Sequence, residues 1–110
     1  MDLQQCIQNC LECHRVCVET MVHCLAKGGR HAEARHIRLL ADCADICQTG
    51  ADFMMRRSDL HAGVCAVCAD VCERCAHDCE GWKDDHQMAV CAAICRQCAQ
   101  SCRAMTRLAA

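Results

Sequence analysis

Sixteen of the 110 residues are cysteine, and their spacing constrains the fold more than any other feature of the chain. They stand at positions 6, 10, 13, 17 and 24, at 43 and 47, at 65, 68, 72, 75 and 79, and at 91, 95, 98 and 102. Within each group the steps are 3, 4 or 7, the recurrence that stacks side chains on one face of an α-helix. A zinc ribbon or a ferredoxin would instead place its C-x2-C pairs in loops punctuated by Gly and Pro. Here the C-x2-C steps sit inside unbroken C-x3-C-x2-C-x3-C runs, and the run at 6–17 has the same spacing as the run at 91–102.

Breakers divide the chain into four helices. Gly28-Gly29 ends the first, roughly 2–27, with Lys27 in its last turn, where a cation complements the helix dipole. Arg57-Ser58-Asp59 is the second break, with Ser58 or Asp59 expected to cap the third helix, and Gly81 to Asp85 is the third, with Asp84 or Asp85 starting the last. There is no proline to interrupt the segments, each about 20 to 27 residues long. Short connections force antiparallel neighbours. The expectation is an all-α fold, an antiparallel up-down-up-down four-helix bundle with cysteines lining the core, forming a single domain over 1–110.

The apolar fraction is 54%, yet Leu, Ile, Val and Phe together number only 19, so the cysteines must supply much of the interior. Ile7, Leu11, Val18, Val22 and Leu25 flank the stripe on the first helix, Val64, Val67 and Val71 on the third, and Val90 and Ile94 on the fourth. These serve contacts inside the bundle or between subunits. Pairing residues across the hairpins sets His36 level with Met21, Cys79 and Met88, near Cys24, at the end carrying Gly28-Gly29. At the other end His61 is level with Leu3, Met54 and Met105, and between the two ends Leu40 and Gly50 are the clear interruptions of the sulfur.

A net charge of −2 leaves no basic stripe to neutralise phosphates, and one Trp and one Phe leave almost nothing on which bases could stack, so nucleic acid is not the expected partner. No stretch approaches the roughly 18 apolar residues that span a bilayer, and no membrane partner is expected. Residues 1–6, Met-Asp-Leu-Gln-Gln-Cys, have neither the charged nor the apolar region of a signal peptide. The expected compartment is therefore the cytoplasm, where thiols stay reduced.

Sixteen inward thiols are far more than packing requires, since Ala, Val or Leu would fill the space without risk of oxidation. Disulfides suit the pattern poorly. Helix axes in a bundle stand about 8 to 10 Å apart, bridged Cα pairs come within ~7 Å, and i, i+4 cysteines on a regular helix have badly directed Cβ atoms. Metal binding remains, with Cys6, Cys10, Cys13, Cys17, Cys24, Cys43, Cys47, Cys65, Cys68, Cys72, Cys75, Cys79, Cys91, Cys95, Cys98 and Cys102 as candidate ligands. Charge discriminates among metals, because a buried ion without compensation costs several kcal/mol. A ZnS4 site carries −2, whereas Cu(I) with bridging thiolates at about one metal per sulfur is near neutral, and soft thiolate and thioether ligands select Cu(I). Cu(I), roughly 16 per chain, is the expected cargo; zinc or cadmium thiolates and a thiolate-cluster electron carrier are the alternatives.

The residues resemble a known family, the bacterial copper storage proteins. The resemblance covers essentially the whole chain and rests on Cys6-x3-Cys10-x2-Cys13-x3-Cys17, on Leu40-Ala41-Asp42-Cys43-Ala44-Asp45-Ile46-Cys47, on the five-cysteine run 65–79, and on Cys91-x3-Cys95-x2-Cys98-x3-Cys102. It implies Cu(I) storage inside the bundle, thiolates as main ligands and assembly as a homotetramer. The family has exported members with a twin-arginine leader and cytosolic members without one, and this sequence resembles the cytosolic branch.

Among the other side chains, His36 and His61 lie on the cysteine faces and read as metal ligands or gates, and Met21 and Met88 can pass copper inward by thioether exchange. His14 flanks its stripe. His23, His31, His77 and His86 are expected to point outward, with His86 and Asp84 accessory to the mouth, while Met54, Met55 and Met105 belong to core or plug. No Ser-His-Asp set, phosphate loop or paired buried carboxylates can be found in the sequence, so no enzymatic activity is expected.

Overall fold

The computed structural model describes residues 2–109, and the side chains of residues 2–106. Four helices follow one another: α1 Leu3–Lys27, α2 Ala34–Met55, α3 His61–Cys79 and α4 His86–Ala109, with a single 3-10 turn over Gly29–Ala32 between the first two. They lie antiparallel in chain order and form a rod of 42 × 19 × 18 Å. Each helix packs against two neighbours, α1 and α3 both lying beside α2 and α4, whereas among the described residues helices facing across a diagonal have no Cα atoms within 8 Å of each other. The diagonals are left to side chains, and those side chains are sulfur.

Local chemistry sets the ends. Asp2 caps α1, its Oδ1 accepting from the Gln5 N–H at 2.7 Å. Gly28 closes it with φ +72°, its N–H bonded to the Cys24 carbonyl, and Gly29 follows at φ +56°, a left-handed pair that any side chain would strain. Asp85 caps α4 through Oδ1 to the Met88 N–H at 3.3 Å, as the sequence suggests. The start of α3 is different from the expectation. Arg57 takes φ +56°, the Ser58 N–H reaches the Phe53 carbonyl and the Arg57 N–H that of Met54, so a Schellman turn consumes the residues through Ser58. The Ser58 hydroxyl then accepts from the Leu60 N–H, and α3 begins at His61 with Leu60 at the cap position and no capping side chain.

Small residues bring the helices close. Ala44 and Ala51 on α2, Ala69 and Ala76 on α3, and Ala92 and Ala99 on α4 are buried, each pair seven residues apart, and all but Ala51 directly follow a cysteine of the stripe. The aliphatic flanks divide: Ile7 is buried and Leu11, Val71, Val90 and Ile94 are partly so, but Val18, Val22, Leu25 and Val67 face outward, Val22 being 64% exposed. No helix is long and apolar enough to cross a membrane among the described residues.

Candidate metal centre

All sixteen cysteines are buried, and all are free thiols. Their sulfurs form a continuous ladder along the bundle axis. Cys10, Cys68, Cys98 and Cys102 have their four Sγ atoms within 4.8 Å of one another. The same holds for Cys47, Cys68, Cys72 and Cys98, for Cys13, Cys43, Cys47 and Cys72, for Cys13, Cys17, Cys43 and Cys95, and for Cys17, Cys75, Cys91 and Cys95. Taken in that order, each quartet shares two sulfurs with the next. Cys6, 3.9 Å from Cys102, extends the ladder at one end.

The rungs cross the diagonals that the backbones leave open. Cys43 and Cys95 are 3.9 Å apart, and Cys47 and Cys98 3.8 Å, joining α2 to α4. Along the sides, Cys47 to Cys72 is 3.5 Å and Cys10 to Cys102 3.6 Å. Two sulfurs bound to one metal ion at about 2.3 Å lie about 3.8 to 4.0 Å apart in tetrahedral or trigonal geometry. The thiols thus already stand at the separation that a shared ion demands, and the donor set is soft throughout. Shared edges also mean that thiolates bridge. Bridging lowers the ratio of negative sulfur to metal, the condition under which a monovalent ion leaves the buried core near neutrality.

Without metal the thiols titrate as one network. S–H donors from Cys17 and Cys43 hold Cys13 below the ordinary thiol range. Its neighbours bear the opposite shift: Cys98 is raised by its hydrogen-bonded neighbours Cys10 and Cys102, and Cys95 by Cys13 and Cys17, with burial adding to both. An anion formed at one rung opposes ionisation at the next. Metal ions remove that opposition by replacing each proton with a positive charge.

At the end near Gly28, Cys24 Sγ lies 3.2 Å from His36 Nε2 and 3.4 Å from the Met88 sulfur. His36 Nδ1 is hydrogen-bonded to the Asp78 carboxylate, which can only accept. The ring proton therefore sits on Nδ1, and Nε2 turns its lone pair toward Cys24, the arrangement of a carboxylate-oriented histidine ligand. Burial, with Asp85, Cys91 and Asp78 nearby, pushes the Cys24 thiol up to about 11, so it is neutral until metal displaces its proton. Trp82 lies over His36, ring centroids 4.4 Å apart, and Met21 is half-buried at the core edge. The structure brings His36, Cys24 and Met88 together.

The opposite end is arranged differently. His61 is half-buried, and its Nδ1–H donates to the Ser58 carbonyl at 2.9 Å, holding it at the start of α3 rather than against a thiol. Met54 and Met105 are buried there. His14 is a tie between helices, its Nδ1–H donating to the Ala44 carbonyl at 2.7 Å. His77 and His86 are exposed, as expected. His23 and His31 are not: both are partly buried and both bond Asp85, at 2.8 and 2.9 Å. Sequence reasoning missed them because Asp85 belongs to a turn, where helical periodicity places nothing. It missed Asp78 and Trp82 too, the first one step off the cysteine face and the second in the same turn.

Comparison with known proteins agrees with this geometry. The Nmul_A1745 protein of Nitrosospira multiformis superposes with a TM-score of 0.90 at 46% identity, covering 96% of this chain and 95% of that one. A Cu(I)-bound copper storage protein, BsCsp3, gives 0.88 at 35% identity over 94% and 96% of the two chains. The apo form of copper storage protein 3 from Bacillus subtilis gives 0.85 at 36% over 96% and 99%. A cysteine-rich protein of Bacillus subtilis strain 168, YhjQ, is 37% identical over 86 residues, 78% of this chain and 80% of the relative. The sequence profile of the family described as copper storage protein matches residues 1–107, and this chain belongs to that family.

Proposed function

We propose that this protein stores and sequesters copper, holding on the order of sixteen Cu(I) ions as thiolate clusters inside its helical bundle, near one per cysteine by charge balance. The observation that carries the reading is the sulfur ladder, in which successive quartets share two thiols. Isolated tetrahedral zinc sites need no shared edges, whereas a continuous Cu(I) thiolate cluster does. The Cu(I)-bound relative supports the choice of metal. The sixteen cysteines are the ligands, with His36 and Met88 completing the end site at Cys24, Met21 passing ions to it, and His61 standing at the closed end. Storage, not catalysis, is the role.

Ions enter axially at the His36 end, where a buried thiol, an oriented imidazole and a thioether already stand in contact. Each arriving Cu(I) displaces a thiol proton, and His36 Nε2, with its lone pair toward Cys24, offers a first nitrogen ligand beside the first sulfur. A cytoplasmic location suits a core of reduced thiols. Assembly as a homotetramer is supported by the exposed Val18, Val22 and Leu25 on α1. Metal analysis of protein isolated anaerobically from copper-grown cells tests the reading. Many copper atoms per chain is the expected result; zinc, or iron with inorganic sulfide, as the main content would overturn it.

A further inference from the structure

Outside the sulfur core, two imidazoles and a carboxylate from three separate elements converge on one point. His23 on α1 places Nε2 at 3.1 and 2.8 Å from the two Asp85 oxygens, and His31 in the 3-10 turn places Nε2 at 2.9 Å from the same Oδ2. The side chains are 28%, 19% and 12% exposed for His23, His31 and Asp85. We propose that His23, His31 and Asp85 form a second metal site, distinct from the thiolate core, that takes a divalent first-row cation.

The geometry is already that of a ligand set. Donors at about 2.1 Å from one ion, subtending 90 to 110°, lie about 3.0 to 3.4 Å apart. Each imidazole nitrogen stands close to that spacing from the shared Asp85 Oδ2, at 2.8 and 2.9 Å, held by hydrogen bonds that an ion would replace. Binding needs only that each neutral imidazole move its proton from Nε2 to Nδ1. The carboxylate is ready: although burial opposes its charge, hydrogen bonds from His23 and His31 hold Asp85 at about 2. An open cleft of about 560 Å³ lies against all three residues, with Asp84 and His86 on its rim, so water or a further ligand can complete the coordination sphere.

The donor chemistry separates this site from the core. Imidazole and carboxylate suit borderline and harder divalent ions, while thiolates select the soft monovalent one. The two sites therefore divide metals by charge and softness at the same end of the bundle. One side chain lies between them: Trp82 packs against His31 at 5.0 Å and against His36 at 4.4 Å between ring centroids.

Cobalt(II) is the test ion, being divalent, paramagnetic and stable to redox change under anaerobic conditions. Protein first filled with Cu(I), which takes the thiolates out of competition, is dialysed against Co(II) and analysed for both metals while the fluorescence of Trp82 is followed. The expected result is about one Co(II) per chain, with quenching of Trp82 in step. In His23→Gln/His31→Gln the affinity should fall at least tenfold while Cu(I) capacity stays at the parent value, which also shows that the variant is folded. His77→Gln, on an exposed histidine, should change neither. No stoichiometric Co(II) in the parent, or equal Co(II) affinity in the double variant, would overturn the proposal and reduce the cluster to a hydrogen-bonded tie. The Cu(I) count on the same samples reports separately on the storage reading.

Discussion

Gly50 leaves a methyl-sized space in the wall of the sulfur core, and alanine at this position separates what the fold needs from what copper needs. It is buried in α2, where a Cβ would meet Cys10 Sγ and Val64 Cγ1, each at 3.9 Å, ordinary van der Waals distance. Replacing glycine in a helix interior gains about 1 kcal/mol, and burying the added methyl gains about 0.8 kcal/mol. At about 4 °C per kcal/mol for a domain of this size, metal-free Gly50→Ala should melt about 6 to 8 °C higher. Gly63→Ala is the control. It lies in the first turn of α3 with nothing within 4 Å of the new Cβ, so it lacks the packing contribution and gains at most about 1 kcal/mol. Thermal unfolding of both variants in reducing, chelating buffer reads the difference. The methyl group should also crowd ions bound to Cys10, lowering Cu(I) capacity by about one or two in Gly50→Ala and leaving Gly63→Ala unchanged. A Gly50→Ala protein no more stable than Gly63→Ala would refute the reasoning, because the space would then not exist.

Other consequences follow from the same geometry. Replacing His36 and Met88 together should slow Cu(I) loading and chelator-driven removal with total capacity nearly intact, and replacing His61 and Met105 should slow them less; stopped-flow transfer from a Cu(I) donor compares the two. The fold raises Cys24 from its ordinary 9.0 to about 11, so it favours the neutral thiol. That contribution is complete below pH 9 and lost as pH rises through 11, and the melting temperature of the metal-free protein should decline across this window, less steeply in Cys24→Ala. Asp85 has the opposite sign: lowered from 3.8 to about 2, it stabilises above pH 3.8, and the benefit disappears as pH falls through 2. Asp85→Asn, which keeps a capping side chain, should flatten that acid limb in a pH series of denaturant midpoints. Protonated thiols pack as small apolar groups, so the reduced apoprotein should show a fully helical far-ultraviolet spectrum, and a random-coil spectrum would count against the packing described.

The helical architecture and the sulfur core were legible because both rest on one periodicity. A step of 3 or 4 fixes the face of a residue without knowledge of its neighbours, which is why all sixteen cysteines, Leu40 and Met88 are found inside. The meeting of His36 and Met88 at Cys24 was legible for the same reason. What periodicity does not reach is the chemistry of the turns. Asp85 and Trp82 lie between helices, and their partners His23, His31 and His36 come from elements that only the folded chain brings together. The start of α3 was misplaced because the left-handed Arg57 carries no sequence signal: a glycine would have announced the Schellman turn, an arginine does not. The burial of Ala44, Ala51, Ala69, Ala76, Ala92 and Ala99 was likewise visible only as composition, since the cysteine periodicity says nothing of which small residues turn inward beside it.

The central claim is that the sulfur ladder fills with Cu(I) as a whole. Anaerobic titration of the reduced protein with Cu(I), against a calibrated Cu(I) chelator, tests it most directly. The account predicts that the chelator stays copper-free until on the order of sixteen equivalents have been added, about one per thiol, followed by a sharp break. A break at four equivalents or fewer would mean isolated sites instead of a filled core, and would contradict it.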